Sequence, residues 1–214
     1  SGVNKNYKRG LDCLRSGHMR TAEYPQVYIV LDGYSARVIR ELYTHIAGGP
    51  TRLQASTRYI DYKDFDYIIP PRIDEDSEKR ILYENSMWNI SQNLQKLELL
   101  GAPKEDIANL LPLGMETKIV LRTNLRHLID MSHQRLCSRA YWEFRQLMID
   151  LMKALREYSE EWAAIVDEFF KPKCEVCGFC EEKNTCHRKP TKERIKQLIE
   201  LGLKYEEMIK AHMD

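Results

Sequence analysis

The residues whose types and spacing can do chemistry fall into two sets, a group of arginines and a group of cysteines. The first set begins in "GGPTRLQASTRYIDY", Gly48 to Tyr62, where Arg52, Ser56 and Arg58 follow two glycines and a proline. Arg126 and Arg135 come later in the chain. A guanidinium is a planar fork of N–H donors that matches the oxygens of a phosphate. A loop with two arginines and a hydroxyl, opened by glycines that let backbone N–H groups come close to an anion, suits a phosphorylated nucleotide. Arg126 and Arg135 lie nine residues apart, and nine steps of about 100° would turn them to different faces of one helix. Their convergence therefore needs a break or a second helix.

The second set is "KCEVCGFCEEKNTCH". Cys174, Cys177, Cys180 and Cys186 crowd into thirteen positions and His187 follows directly, while Cys13 and Cys137 stand alone. A disulfide framework spreads its cysteines, so crowding points to metal. Four soft ligands at short spacing suit a structural zinc, and an iron–sulfur cluster or free redox thiols are the other readings. His187 can replace any one of the thiols. Lys171, Lys173, Lys183, Arg188 and Lys189 would offset the charge of a tetrathiolate.

The elements that must position these side chains are legible in outline. "PQVYIVL" (25–31) reads as a strand and Asp32-Gly33 as a turn. Ser35 can cap a helix to about Ile46, ended by Gly48-Gly49-Pro50. "FDYIIPPRI" is extended. Residues 74–100 form a long helix with Met87, Ile90, Leu94, Leu97 and Leu100 on one side. Pro103 suits a helix start, and "METKIVLRT" reads as a second strand. Thr123 or Asn124 caps a further helix. A stripe of Leu136, Ala140, Phe144, Leu147, Leu151 and Leu155 predicts a helix over about 136–158. Another helical piece reaches Phe170, and Thr191 caps a last helix to Met213.

Bulk composition narrows the classes of function. The chain is 43% hydrophobic and 30% charged, which is the balance of a soluble globular protein. A net charge of +1 gives no overall pull toward a nucleic acid polymer or an acidic membrane, so anion binding must come from local arginines. No apolar run approaches the roughly 20 residues a membrane span needs, and a cytoplasmic location is expected. The chain opens "SGVNKNYKRG" without Met, which suggests an upstream segment. The composition shifts at Lys171, so a catalytic part over 1–170 and a cysteine-rich appendage with the C-terminal helix over 171–214 are expected.

"SGHMRTAEY", "RELYTH", "QASTRY" and "LRTNLRHLIDMSHQRLCSRAYWEFRQ" occur in that order. Together they resemble the flavin-dependent thymidylate synthases, from about Leu11 to Leu155. Ser56-Thr57-Arg58-Tyr59 matches the end of that family's signature, which starts with an Arg-His-Arg triplet. Asn124-Leu125-Arg126, Arg135 and Ala140-Tyr141-Trp142-Glu143 follow "LPLG" at the expected distances.

The resemblance implies a single α/β (α+β) domain, with a small mixed sheet packed by long helices. It also implies methylation of deoxyuridine monophosphate (dUMP) to dTMP with methylenetetrahydrofolate, FAD and NADPH, in a homotetramer. Residue by residue, it implies nucleotide contacts from Glu41, Gln54, Ser56, Arg58 and Arg135, of which Ser56, Arg58 and Arg135 serve the reaction. It implies flavin-side contacts from His18, His45, Asn124 and Arg126. The triplet itself is altered to Thr44-His45-Ile46, so both of its arginines are missing. Arg52, in the lengthened loop, is then the residue placed to restore a phosphate contact. Glu41 stands where a glutamine is common, and Leu53-Gln54 stands for Asn-Glu.

Overall fold

The structure, a computed structural model, describes residues 7–59 and 61–213. Its backbone contacts gather into two compact units, one continuous over 25–124 and one built from 1–24 with 125–214. The class is the expected α+β, with many helices and one small sheet.

Helix α1 (Tyr7–Arg15) and a 3₁₀ turn (Met19–Glu23) open the discontinuous unit. The continuous unit then starts with strand β1 (Gln26–Ser35) and helix α2 (Ala36–Leu42). Ser35 caps α2 as expected, its Oγ accepting from Val38 N at 3.2 Å. β1 runs past Asp32-Gly33, because those residues form an irregularity in the pairing between Leu31 and Tyr34 rather than a turn. Strand β2 (Thr51–Gln54) lies inside the stretch that reads as a loop in sequence.

Helices α3 (Pro71–Asp74), α4 (Ser77–Leu99) and α5 (Lys104–Ile107) come next, then strand β3 (Glu116–Asn124). Asp76 caps α4, accepting from Glu78 N and Lys79 N. Of the expected α4 stripe, Met87 and Leu94 are buried, whereas Leu100 lies beyond the helix end and is exposed.

The sheet order is β1-β3-β2, and every pairing is antiparallel where a mixed sheet was expected. β3 is the central strand. It alternates with period two: Thr117, Ile119, Leu121 and Thr123 are buried, and the residues between them are not. Val38, Ile39 and Leu42 of α2 are fully buried and α2 packs on β1 and β3, so the sheet's inner face and α2 form the core here.

Asn124 ends β3, and helix α6 (Leu125–Arg135) follows without a linker. Helices α7 (Trp142–Tyr158) and α8 (Glu160–Phe169) pack on one another, with Phe144, Leu147, Met148 and Val166 buried. The stripe expected from residue 136 begins at Trp142. Leu136 and Ala140 belong to the turn before it, where Ala140 N donates to Cys137 O at 3.0 Å. Helix α9 (Lys173–Cys177) lies within the cysteine segment. The single last helix expected from Thr191 is two, α10 (Lys192–Glu200) and α11 (Tyr205–Met213), divided at Gly202. Thr191 does cap α10, accepting from Arg194 N at 3.2 Å. No described helix is long and apolar enough to cross a membrane.

Candidate functional site

Within the continuous unit, the end of α2, the turn after it, β2 and the end of β3 meet at one corner. Gly48 makes this possible. Its φ is 74°, and a Cβ added there would lie 2.9 Å from Asn124 Nδ2. Only a residue without a side chain lets the backbone pass that close to the last residue of β3. The glycine that sequence reasoning assigns to an anion is thus used to seat the turn on Asn124, which is itself buried.

Arg52 sits on β2 and points back toward α2. Its guanidinium donates to Leu42 O at 3.2 Å and to His45 O, and it lies 5.1 Å from the Tyr43 ring centroid. These are carbonyls at the C-terminal end of α2, where a helix lacks its own donors and a cation is favoured. Burial depresses the Arg52 pKa below the ordinary guanidinium value. Its Nε is buried and makes no hydrogen bond. Arg52 therefore braces the turn in this structure and leaves its phosphate-facing role without a geometric counterpart. His45 is buried beside it at 8% exposure. Glu41 stands in the last turn of α2, and Gln54 pairs with Ile119 at the end of β2.

Beyond β2 the chain makes a short turn in which Ser56 Oγ accepts from Arg58 N at 3.3 Å. The Arg58 side chain is 63% exposed. It lies 3.3 Å from the Glu105 carboxylate and 5.6 Å from the Tyr59 ring centroid. The stretch 48–59 contains no Asp or Glu, so it offers hydroxyl, amide and guanidinium donors to an anion and nothing that repels one. That donor set fits a phosphorylated ligand. The hollow lined by Thr57, Asp61 and Lys63 measures only about 30 Å³, room for a water and not for a nucleotide.

In the discontinuous unit, His18 is an exposed residue leading into the 3₁₀ turn. Arg126 and Arg135 occupy the first and last turns of the same helix, α6, so no break brings them together. Arg126 pairs with Glu23 at 2.7 Å. Arg135 lies 4.4 Å over the ring of Phe144, the residue that follows the buried Glu143 in α7. Glu143 accepts from the Tyr141 hydroxyl at 3.2 Å. This buried carboxylate is a feature that sequence reasoning did not assign, although "AYWE" was part of the resemblance.

The cysteine segment does not assemble as its spacing suggests. Cys174 and Cys177 lie on α9, and Gly178, at φ 83°, ends that helix. The exposed Cys177 thiol donates to Phe179 O at 3.2 Å. Among the described residues no three His, Cys, Asp or Glu side chains are gathered closely enough to hold a metal ion.

Comparison with known proteins falls where these features lie. The family model described as "Thymidylate synthase complementing protein" matches residues 4–159. Proteins named flavin-dependent thymidylate synthase are similar over most of the chain. That of Nitratidesulfovibrio vulgaris is 28% identical over 208 residues, covering 91% of this chain and 82% of its own. That of Pyrococcus horikoshii is 30% identical over 199 residues, 87% and 79% respectively. That of Clostridium tetani is 28% identical over 182 residues, 78% and 70%. The chain belongs to the thymidylate synthase complementing protein family, whose similar members here are flavin-dependent enzymes.

Proposed function

We propose that this protein is a flavin-dependent thymidylate synthase that methylates dUMP to dTMP, with methylenetetrahydrofolate as one-carbon donor and NADPH as reductant. The observation that carries the reading is the family match over 4–159, which runs through both arginine-bearing segments. The acid-free Ser56–Arg58 turn adds the donor chemistry that a nucleotide phosphate requires.

In this reading Arg58 and Ser56 grip the nucleotide monophosphate, and Glu41 and Gln54 line the same pocket. Arg135 polarises the pyrimidine so that electron density builds at C5, where the one-carbon unit is delivered. Ser56 is a binding group, because no His or Lys adjacent in sequence activates it as a nucleophile. His18, His45, Asn124 and Arg126 form the flavin side, and FAD when bound supplies the hydride that completes the methyl group. The residues' share is orientation and charge.

Arg126 and Arg135, at opposite ends of one helix, serve different ligands or different subunits of a homotetramer. The part up to about residue 170 would be catalytic, 171–214 an appendage, and the location cytoplasmic. A structural zinc at Cys174, Cys177, Cys180 and Cys186 has no support in the arrangement of those thiols.

One observation favours a second reading, a flavoenzyme of this family acting on another pyrimidine nucleotide. Thr44-His45-Ile46 lacks the triplet arginines, and Arg52 is bound to carbonyls instead of replacing one. The deciding experiment is turnover by the purified full chain. dUMP-dependent oxidation of the reduced flavin, with dTMP released when the folate is present, is the expected result. Flavin oxidation that answers to another pyrimidine monophosphate and not to dUMP would replace the first reading with the second. A protein that binds flavin but turns over neither would sink both.

A further inference from the structure

Helix α4 is apolar on two opposite sides, and the chain covers only one of them. The inner side is held within the continuous unit. Met87 and Leu94 are buried there, the Tyr83 hydroxyl donates to Ile68 O at 3.0 Å, and the Ser91 hydroxyl donates to Lys63 O at 2.6 Å. On the other side Ile81, Leu82, Trp88, Leu99 and the following Leu100 are between 58% and 87% exposed. Seven and eighteen steps of about 100° return Trp88 and Leu99 to within about 20° of the direction of Ile81, whereas Met87 and Leu94 point about 120–140° away from it. Leu82 and Leu100 line up beside that stripe. The exposed face therefore runs along about 27 Å of helix, at about 1.5 Å per residue.

A surface helix with one buried side carries polar residues on the other. Here the outward side is apolar too. At about 150–250 Å² for a large side chain laid fully open, the five residues leave on the order of 700 Å² of apolar surface. That exceeds the largest patch of an ordinary monomer, about 300–600 Å². Two such faces together match a standard specific interface of about 1,200–2,000 Å².

The polar residues of the same face indicate the occupant. Asn85, Asn89 and Gln92 lie between its apolar ends. A side-chain amide both donates and accepts, so an identical face can satisfy it. The interior of a bilayer would leave those amides without partners. Residues 81–100 hold Lys96 as their single cation, too few to draw a nucleic acid.

Orientation follows from the same residues. A parallel pairing sets Lys96 against the partner subunit's Lys96 and aligns the two helix dipoles, both of which repel. An antiparallel pairing, with a two-fold axis between residues 90 and 91, sets Ile81 and Leu82 against the apolar C-terminal end of the partner helix. Lys96 then comes to the partner subunit's Asn85. The two Trp88 rings stand about 7–8 Å apart along the helices, five residues at about 1.5 Å each, close enough to pack.

We propose that this face of α4 is an interface between two copies of the chain, paired antiparallel about a two-fold axis. Such a contact uses the same surface on both subunits and closes a dimer, and a homotetramer needs one further interface. None of the nucleotide or flavin contacts proposed above lies on α4, so the interface stands apart from the choice of substrate.

The test is sedimentation of the full chain over a dilution series at low salt, without flavin or nucleotide, so that its failure and a failure of turnover are separate results. The expected result is reversible assembly in an even number of subunits. Trp88→Ala raises the dissociation constant of one pairing step by about 30-fold or more, and Leu99→Glu abolishes that step. Both side chains are exposed, so circular dichroism of the variants matches the native chain. Asn85→Glu gives Lys96 an opposite charge across the axis and tightens the step about threefold, while Asn85→Lys weakens it by a similar factor. A native chain that stays monomeric at every concentration, or an assembly that ignores both Trp88→Ala and Leu99→Glu, would give the face to another partner and overturn the proposal. Equal weakening by Asn85→Glu and Asn85→Lys would overturn the antiparallel arrangement.

Discussion

The two compact units reach their stability by different routes. The unit over 25–124 is one continuous stretch, and the turn at its corner carries short ties, Arg52 to Leu42 and His45 and Arg58 to Ser56, beside longer ones, Gly48 against Asn124 and Arg58 with Glu105. The other unit joins two pieces of chain separated by a hundred residues, and its ties are long. Arg15 meets Glu168, 153 positions away, and Cys137 and Cys174 line one cavity. Short ties leave a signature in local spacing, whereas long ones leave only unexplained residues. The same contrast separates what a substitution does. A change at the continuous corner acts on ligand or on local strain, and a change in the discontinuous unit acts on how distant segments hold together.

The largest effect is expected at Arg58. Its side chain is mostly exposed and its carboxylate partner lies at the surface, so Arg58→Ala leaves folding nearly unchanged. If it grips the nucleotide phosphate, the same change weakens nucleotide binding by about 2–4 kcal/mol, roughly 30- to 900-fold. Titration calorimetry beside urea unfolding separates the two. Unchanged affinity removes Arg58 from the site.

Gly48 and its neighbour form an internal control. Gly48→Ala meets both a positive φ and the Asn124 amide, so it costs about 2–3 kcal/mol. Gly49 has φ 60° but open space around it, and Gly49→Ala costs only the backbone term, about 1–2 kcal/mol. Equal losses by urea denaturation would mean that the close approach to Asn124 contributes nothing.

Arg52→Met keeps the apolar stem and removes the donors to Leu42 O and His45 O. A loss of about 1–2 kcal/mol in stability is expected, with ligand affinity little changed. A fall in affinity with stability intact would show that Arg52 leaves the carbonyls for a phosphate, which restores the role its position in the lengthened loop suggests.

The contrast between short and long ties also explains which features were legible in the sequence. Ser35 and Thr191 were readable as caps because a cap is a local hydrogen bond, and each accepts from the N–H three residues on. The buried alternation of β3 was readable because period two repeats over nine residues. β2 was not, since four residues with the burial pattern exposed–half-buried are too few to outweigh the glycines and proline before them. The helix expected to reach Ile46 ends at Leu42, where Arg52 takes up the terminal carbonyls from outside the helix. The Ser56–Tyr59 segment was legible as a loop of anion donors, because those residues are contiguous. Cys137 read as a solitary cysteine because nothing local marks its proximity to residue 174, and Cys177 read as a ligand because its spacing fits while its thiol points to Phe179.

The smallest effect sharpens the comparison from the side of the long ties. Arg15 holds Glu168 through two bonds of 2.7 Å, Nε to Oε1 and Nη2 to Oε2, which anchors α1 to α8. The bond from Arg15, with its charge, holds the Glu168 carboxyl below the usual carboxylate range. The folded chain therefore favours the ionised form more than the unfolded chain does. The stabilisation is complete above the unfolded value of about 4.3 and is lost as pH falls through the lower folded value. The melting temperature of the native chain should exceed that of Glu168→Gln by a small, constant margin above about pH 5 and converge with it in acid. Added salt should narrow the margin too, because the pair is partly exposed. A margin that is the same at every pH would mean that the contact holds α1 by packing alone, and the distinction between short polar ties and long ionic ones would lose one of its two supports.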